Sequence, residues 1–137
     1  MAAAARVTAT GGCHCGRVRF EVDVAPAVTV QRCNCSLCSK VGFLHLIVPA
    51  ARFRLLEGQG ELSCYTFNTG VAKHWFCSHC GVKSFYRPRS NPDGISVNLR
   101  CIDEPVPFRV TIEDFDGQNW EDSAADLAHL SAPPIDD

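Results

Sequence analysis

The chain has 137 residues, nine cysteines and a formal net charge of -2. That length reads as one domain, large enough for a core but small enough for a bound metal to matter to its stability. The near-neutral charge gives no basic footprint for nucleic acid, and no apolar run approaches the roughly 20 residues of a membrane span. Met1 to Ala5, followed by Arg6, lacks the basic start and leucine-rich stretch of an export signal. The cysteine count is odd and includes Cys-x-Cys pairs, which suit metals better than disulfides. The expected setting is therefore a reducing cytoplasm.

In chain order, the first feature is Gly11-Gly12-Cys13-His14-Cys15-Gly16, whose glycines permit tight turns and close backbone approach. Arg17 to Val24 follows as a strand, with Val18, Phe20, Val22 and Val24 on one face. Thr29 to Arg32 is a short strand leading into Cys33-Asn34-Cys35-Ser36-Leu37-Cys38, with a helical turn after Cys35. Strands are then predicted over Phe43 to Val48, Leu62 to Phe67 and Ala72 to Phe76. The knuckle Phe76-Cys77-Ser78-His79-Cys80-Gly81 comes next, then strands at Val82 to Tyr86 and Ile95 to Leu99. Val106 to Ile112 adds an edge strand, the only place Pro107 is tolerated. Asp122 to Leu130 is read as a short helix, and the end, with Pro133 and Pro134, as a frayed tail. The pattern is mainly β, of short antiparallel strands with metal knuckles at their ends.

Seven of the nine cysteines fall in three groups whose spacing aims thiolates at one point, as a soft-ligand site requires. Cys13 and Cys15 with Cys77 and Cys80 make four ligands, enough to close a structural site. Cys33, Cys35 and Cys38 make three, leaving a position where chemistry can occur. A fourth ligand would come from Cys64, Cys101, His45, His74 or His79, with Cys101 first. The alternative for Cys64 and Cys101 is that both are small buried hydrophobes. His14 and His79 are expected at the surface or on a backbone carbonyl, and His74 in the core or behind a ligand. A different pairing, Cys35 and Cys38 with Cys77 and Cys80, would give a rubredoxin-like four-thiolate site.

These motifs together resemble the family of glutathione-dependent formaldehyde-activating enzymes and centromere protein V. Gly11 to Gly16 looks like that family's opening, Cys33 to Cys38 like its central motif and Phe76 to Gly81 like its third. Tyr65 to Thr69, Ser84 to Pro92 and Asn119 to Glu121 look closest to the centromere protein V branch. The resemblance spans roughly Thr10 to Trp120. It implies an Mss4-like β-tent in residues 10–122, between a lead at 1–9 and a tail at 123–137.

The resemblance further implies two Zn2+ ions, a structural one on Cys13, Cys15, Cys77 and Cys80 and a catalytic one on Cys33, Cys35 and Cys38. The implied activity is that of a carbon-sulfur lyase forming or breaking S-hydroxymethylglutathione from glutathione and formaldehyde. A zinc site open at one position suits this, because coordination strips the proton from a thiol. Asp103, His74 and Tyr86 are candidate proton donors, and Arg87, Arg89 and Arg100 candidate partners for glutathione carboxylates. Two other classes stay open: a non-catalytic zinc module that binds a macromolecule, and a thiol or metal sensor.

Overall fold

The computed structural model describes residues 6–67, 70–116 and 130. Among these residues, ten strands form two sheets. In the smaller, β1 (Val7–Gly12) pairs antiparallel with β2 (Arg19–Val24), which pairs antiparallel with β5 (Phe53–Glu57). The larger sheet has seven strands in the order β10-β3-β4-β9-β8-β7-β6. These are β3 (Ala27–Cys33), β4 (Leu44–Pro49), β6 (Leu62–Tyr65), β7 (Lys73–Cys77), β8 (Phe85–Arg87), β9 (Gly94–Asn98) and β10 (Arg109–Phe115). One short helix, α1 (Ser36–Val41), follows β3.

Alternation along the strands decides which face is which. Phe20, Val22 and Val24 of β2 are buried, while Glu21 and Asp23 point outward to Arg54 of β5 at 2.7 and 2.9 Å. From the larger sheet, Val30, Leu44, Leu46, Val48, Phe85, Ile95 and Val97 join the same core. The rings of Phe20, Phe53 and Phe85 knit the two sheets together, with centroids 4.7 to 6.4 Å apart. Burial of this apolar layer is the main drive to fold.

The other face of the larger sheet is unusual. Gln31, His45, His74, Ser96, Asn98 and Tyr86 all lie on it, and all are buried. A buried face made of polar groups is costly unless those groups do something. The cysteines of β3 and α1 stand beside it.

Several expected elements shift. No strand was expected before Arg17 or at Phe53, yet β1 and β5 are both paired. Two glycines hide β1, and they are there for space. A Cβ on Gly11 would sit 2.3 Å from the Cys101 carbonyl oxygen, and one on Gly12 2.1 Å from that of Val18. The last edge strand begins at Arg109, beyond Pro107, and runs parallel to β3, from Arg109 opposite Ala27 to Phe115 opposite Cys33. The sheet is thus not purely antiparallel.

The strand expected at Val82 starts only at Phe85. The backbone of Lys83 and Ser84 instead bonds to Asn98, from the Asn98 side-chain amide at 3.1 Å and its backbone N–H at 2.9 Å. The helix expected at Asp122 to Leu130 lies outside the described residues apart from Leu130. Among the described residues, no helix is long and apolar enough to cross a membrane.

Candidate active site

The fold brings Cys13, Cys15, Cys77 and Cys80 together, with all four sulfurs within 4.8 Å of one another. Cys15 Sγ lies 3.6 Å from both Cys13 Sγ and Cys77 Sγ. Zinc at its usual 2.3 Å from four sulfurs in a tetrahedron spaces them by about 3.8 Å, so the set fits one such ion. The two knuckles are built alike. The N–H of Cys13 donates to the Val18 carbonyl, and that of Cys77 to the Val82 carbonyl, each at 3.1 Å. Each knuckle turns on a glycine with positive φ, Gly16 at 85° and Gly81 at 78°. Backbone N–H groups of Val18 and His79 point at Cys13 and Cys77 sulfur, at 3.3 and 3.4 Å. The backbone N–H of Arg17, and then its guanidinium, hold the Cys15 thiol below its ordinary range. Such donors stabilise thiolate, the form that binds metal.

The second group is separate. Cys33 ends β3, Cys35 caps α1 and Cys38 lies within it, with the three sulfurs again within 4.8 Å of one another. The N–H of Cys38 donates to Cys35 Sγ at 3.3 Å, and that of Cys35 to Cys33 Sγ at 3.5 Å. Cys35 is held lowest, chiefly by bonds from the Cys33 and Cys38 thiols, while those two are pushed up by sharing protons with their neighbours and by burial. Three sulfurs converging this closely suit a soft cation. The rubredoxin-like pairing is excluded, because Cys35 and Cys38 do not meet Cys77 and Cys80.

Among the described residues, no fourth donor joins the trio. Cys101 is half-buried, with its sulfur 3.9 Å from the Lys83 carbonyl. Cys64, expected as a buried hydrophobe or a ligand, is exposed on β6, an edge strand of the larger sheet. His79 is exposed and paired with Glu61, and His14 is exposed. His45 Nδ1 is engaged with Ser96 Oγ at 3.1 Å and the Tyr86 hydroxyl at 3.2 Å. His74 Nδ1 accepts from Lys83 Nζ at 2.7 Å.

A cleft of about 630 Å³ opens onto the trio. Cys33 and Cys38 line it beside Phe43, Leu44 and Phe115, with Arg32, Arg100, Asp114 and Asp116 around them. The parallel pairing of β10 with β3 is what carries Phe115 to Cys33. Of the arginines considered for carboxylate binding, Arg100 is on this cleft, its Nε held by the Gly42 carbonyl at 2.9 Å. Arg87 is turned to the Pro92 carbonyl. Asp103 is bound by Arg19 and Thr10 of the smaller sheet, away from the cleft lining.

Packed on Phe43 of the cleft wall is a residue the sequence reading missed. Lys83 is buried, with Nζ 4.0 Å from the centre of the Tyr86 ring and 4.9 Å from that of Phe43. Burial pushes its ammonium down to about 8, against the opposing pull of Cys38, Cys35 and Cys33. Burial, then the Lys83 charge, lowers His45 to about 3 and His74 to about 4, so both are neutral. Burial raises the Tyr86 phenol. The available signal was a lone lysine in the otherwise uncharged run Val82 to Tyr86.

Comparison with known proteins now has a site to refer to. The sequence profile described as glutathione-dependent formaldehyde-activating enzyme matches residues 8–118. A Halomonas elongata protein, provisionally named a glutathione-dependent formaldehyde-activating enzyme, is 28% identical over 105 residues, covering 71% of this chain and 67% of its own. The crystal structure of a Rhodobacter sphaeroides protein superposes with a TM-score of 0.64 at 33% identity, covering 74% of this chain and 99% of its own.

Proposed function

The chain belongs to the glutathione-dependent formaldehyde-activating enzyme family, and on that footing we propose that it joins a small thiol to a small aldehyde, glutathione and formaldehyde first. In this reading the Cys13, Cys15, Cys77 and Cys80 set holds a structural zinc. Cys33, Cys35 and Cys38 hold a second zinc and form the catalytic centre, in a domain spanning 10–122 that works in the cytoplasm. The observation that carries the reading is a three-cysteine group with no fourth protein donor among the described residues, at the wall of a cleft large enough for a tripeptide. Zinc held there would supply a place for the substrate thiol to lose its proton at neutral pH.

The chain's own residues do the rest. Phe43, Leu44 and Phe115 give apolar walls against which the peptide lies. Arg100 offers guanidinium N–H groups to its carboxylates and Asp116 a carboxylate to its ammonium, while Arg32 and Asp114, on the same cleft, pair with each other at 2.8 Å. Holding both reactants in register removes much of the entropy cost of a two-molecule encounter. The glutathione sulfur adds to the aldehyde carbon, the carbonyl π bond opens and the oxygen takes a proton, giving S-hydroxymethylglutathione. The reverse breaks the same carbon–sulfur bond, which is lyase chemistry.

The test is the rate of adduct formation measured by NMR exchange at equilibrium, since the reaction also runs unaided. Zinc-loaded protein should exceed the uncatalysed rate, and Cys35→Ser should return it to background. Equal rates with and without protein would refute the enzyme and leave a binding module.

A further inference from the structure

We propose that the Lys83 ammonium is a catalytic group that receives the aldehyde oxygen and protonates it as the sulfur–carbon bond forms. The proposal rests on the reading above and deepens it by naming the proton donor. Lysine is among the residues least often buried, and a buried ammonium is costly unless something compensates it. Among the described residues, no carboxylate pairs with Lys83. Its partners are His74 Nδ1 at 2.7 Å and the faces of the Tyr86 and Phe43 rings. Phe43 is the shared wall, lining the cleft beside Cys33 and Cys38 and packing on the lysine. Phe43 thus joins the buried cation to the wall of the cleft where a substrate thiol would meet the trio.

A second observation points the same way. His45 Nε2, His74 Nε2 and Gln31 Oε1 are buried without hydrogen-bond partners among the described residues. All three side chains lie on the polar face of the larger sheet. Buried polar groups left unsatisfied in a folded protein call for an explanation, and a catalytic role is a common one. Since Lys83 donates to His74 Nδ1, the neutral ring carries its proton on the unpaired Nε2. Donors fixed in an apolar, ring-walled setting stabilise a developing oxyanion more strongly than water does. The step balances. Sulfur bonds to carbon, the carbonyl π pair moves to oxygen, and that oxygen takes a proton from Nζ. The proton lost by the thiol restores the ammonium.

The experiment compares zinc-loaded wild type with Lys83→Met and Lys83→Gln. Both variants should keep their metal content by mass spectrometry and bind glutathione within about twofold of wild type. Their kcat for adduct formation should fall by about 100-fold, the lower end for a lost general acid. A second readout is independent of turnover. With ¹⁵N-lysine labelling, the Lys83 Nζ resonance should move when formaldehyde is added under excess glutathione, while the other two lysines, Lys40 and Lys73, stay put. An unchanged kcat with metal and thiol bound would overturn the assignment and leave the parent reading intact, as would an unmoved Nζ. Loss of the second metal in both variants would make Lys83 a structural counter-charge and also overturn it. Failure of the parent reading shows earlier, as wild type that neither binds glutathione nor exceeds the uncatalysed rate.

Discussion

On the reading proposed above, the two cysteine groups use the same ligand chemistry for opposite ends. Cys13 and Cys15, just beyond β1, meet Cys77 and Cys80 from across the chain, so four sulfurs tie the N-terminal hairpin to the end of β7. Cys33, Cys35 and Cys38 all come from one turn between β3 and α1 and tie nothing distant together. The first group is complete at four and backs onto the apolar core, with Cys13 and Cys77 buried. The second stops at three and stands between a cleft and a polar face. Ligand count and sequence separation together distinguish a staple from a reactive site.

The comparison breaks most visibly if a staple ligand is removed. Structural zinc contributes on the order of 10–16 kcal/mol in small zinc domains, as much as a whole domain's stability. Cys77→Ser should therefore prevent folding or lower Tm by more than about 20 °C, read by circular dichroism. Cys35→Ser should abolish the second metal and the activity yet cost only about 1–2 kcal/mol, so Tm falls by a few degrees. If Cys35→Ser unfolds the protein as Cys77→Ser does, both groups are staples and the distinction fails.

Glycines near each group sharpen the contrast at smaller scale. Gly11→Ala should cost about 1–3 kcal/mol, because its Cβ meets a backbone carbonyl and the Phe20 ring, neither free to retreat. Gly42→Ala, at the end of α1, meets nothing within 4 Å and carries only its φ of 73°, so about 1 kcal/mol is expected. Urea denaturation of the zinc-loaded variants orders the two.

The smallest effect is a control far from both groups. Arg54 and Thr8 hold Asp23 at about 2, below its ordinary 3.8. A depressed carboxyl stabilises the fold above its unfolded value and loses that contribution only as pH falls through about 2. The pair is partly exposed, so about 1 kcal/mol is expected. Asp23→Asn should thus lower Tm by the same small amount at pH 8 and pH 5. Over that range wild type should weaken anyway, because thiolate ligands must stay deprotonated to keep their metal. A difference between the two pH values that vanishes in Asp23→Asn would move the acid sensitivity from the cysteines to the hairpin.

What the sequence made legible follows from range. Cys-x-Cys and Cys-x-x-Cys are local patterns, so both groups could be read before any fold was known. Alternation at Phe20, Val22 and Val24 marked β2 for the same reason. β1 was hidden because Gly11 and Gly12 are poor strand formers whose need for space depends on Cys101, far along the chain, and on Val18 across the hairpin. The direction of β10 depends on pairing with β3 and has no local signature. The polar face is the deepest omission. Gln31, His45, His74, Tyr86 and Ser96 are scattered over five strands, and only the register of the sheet assembles them.

The most direct test is native mass spectrometry of the reduced protein, wild type and Cys35→Ser, with and without glutathione. Wild type should carry two zinc ions and take up one glutathione, and Cys35→Ser one zinc and none. A single zinc in wild type, or equal glutathione uptake by the two proteins, would contradict an open metal site as the seat of the chemistry.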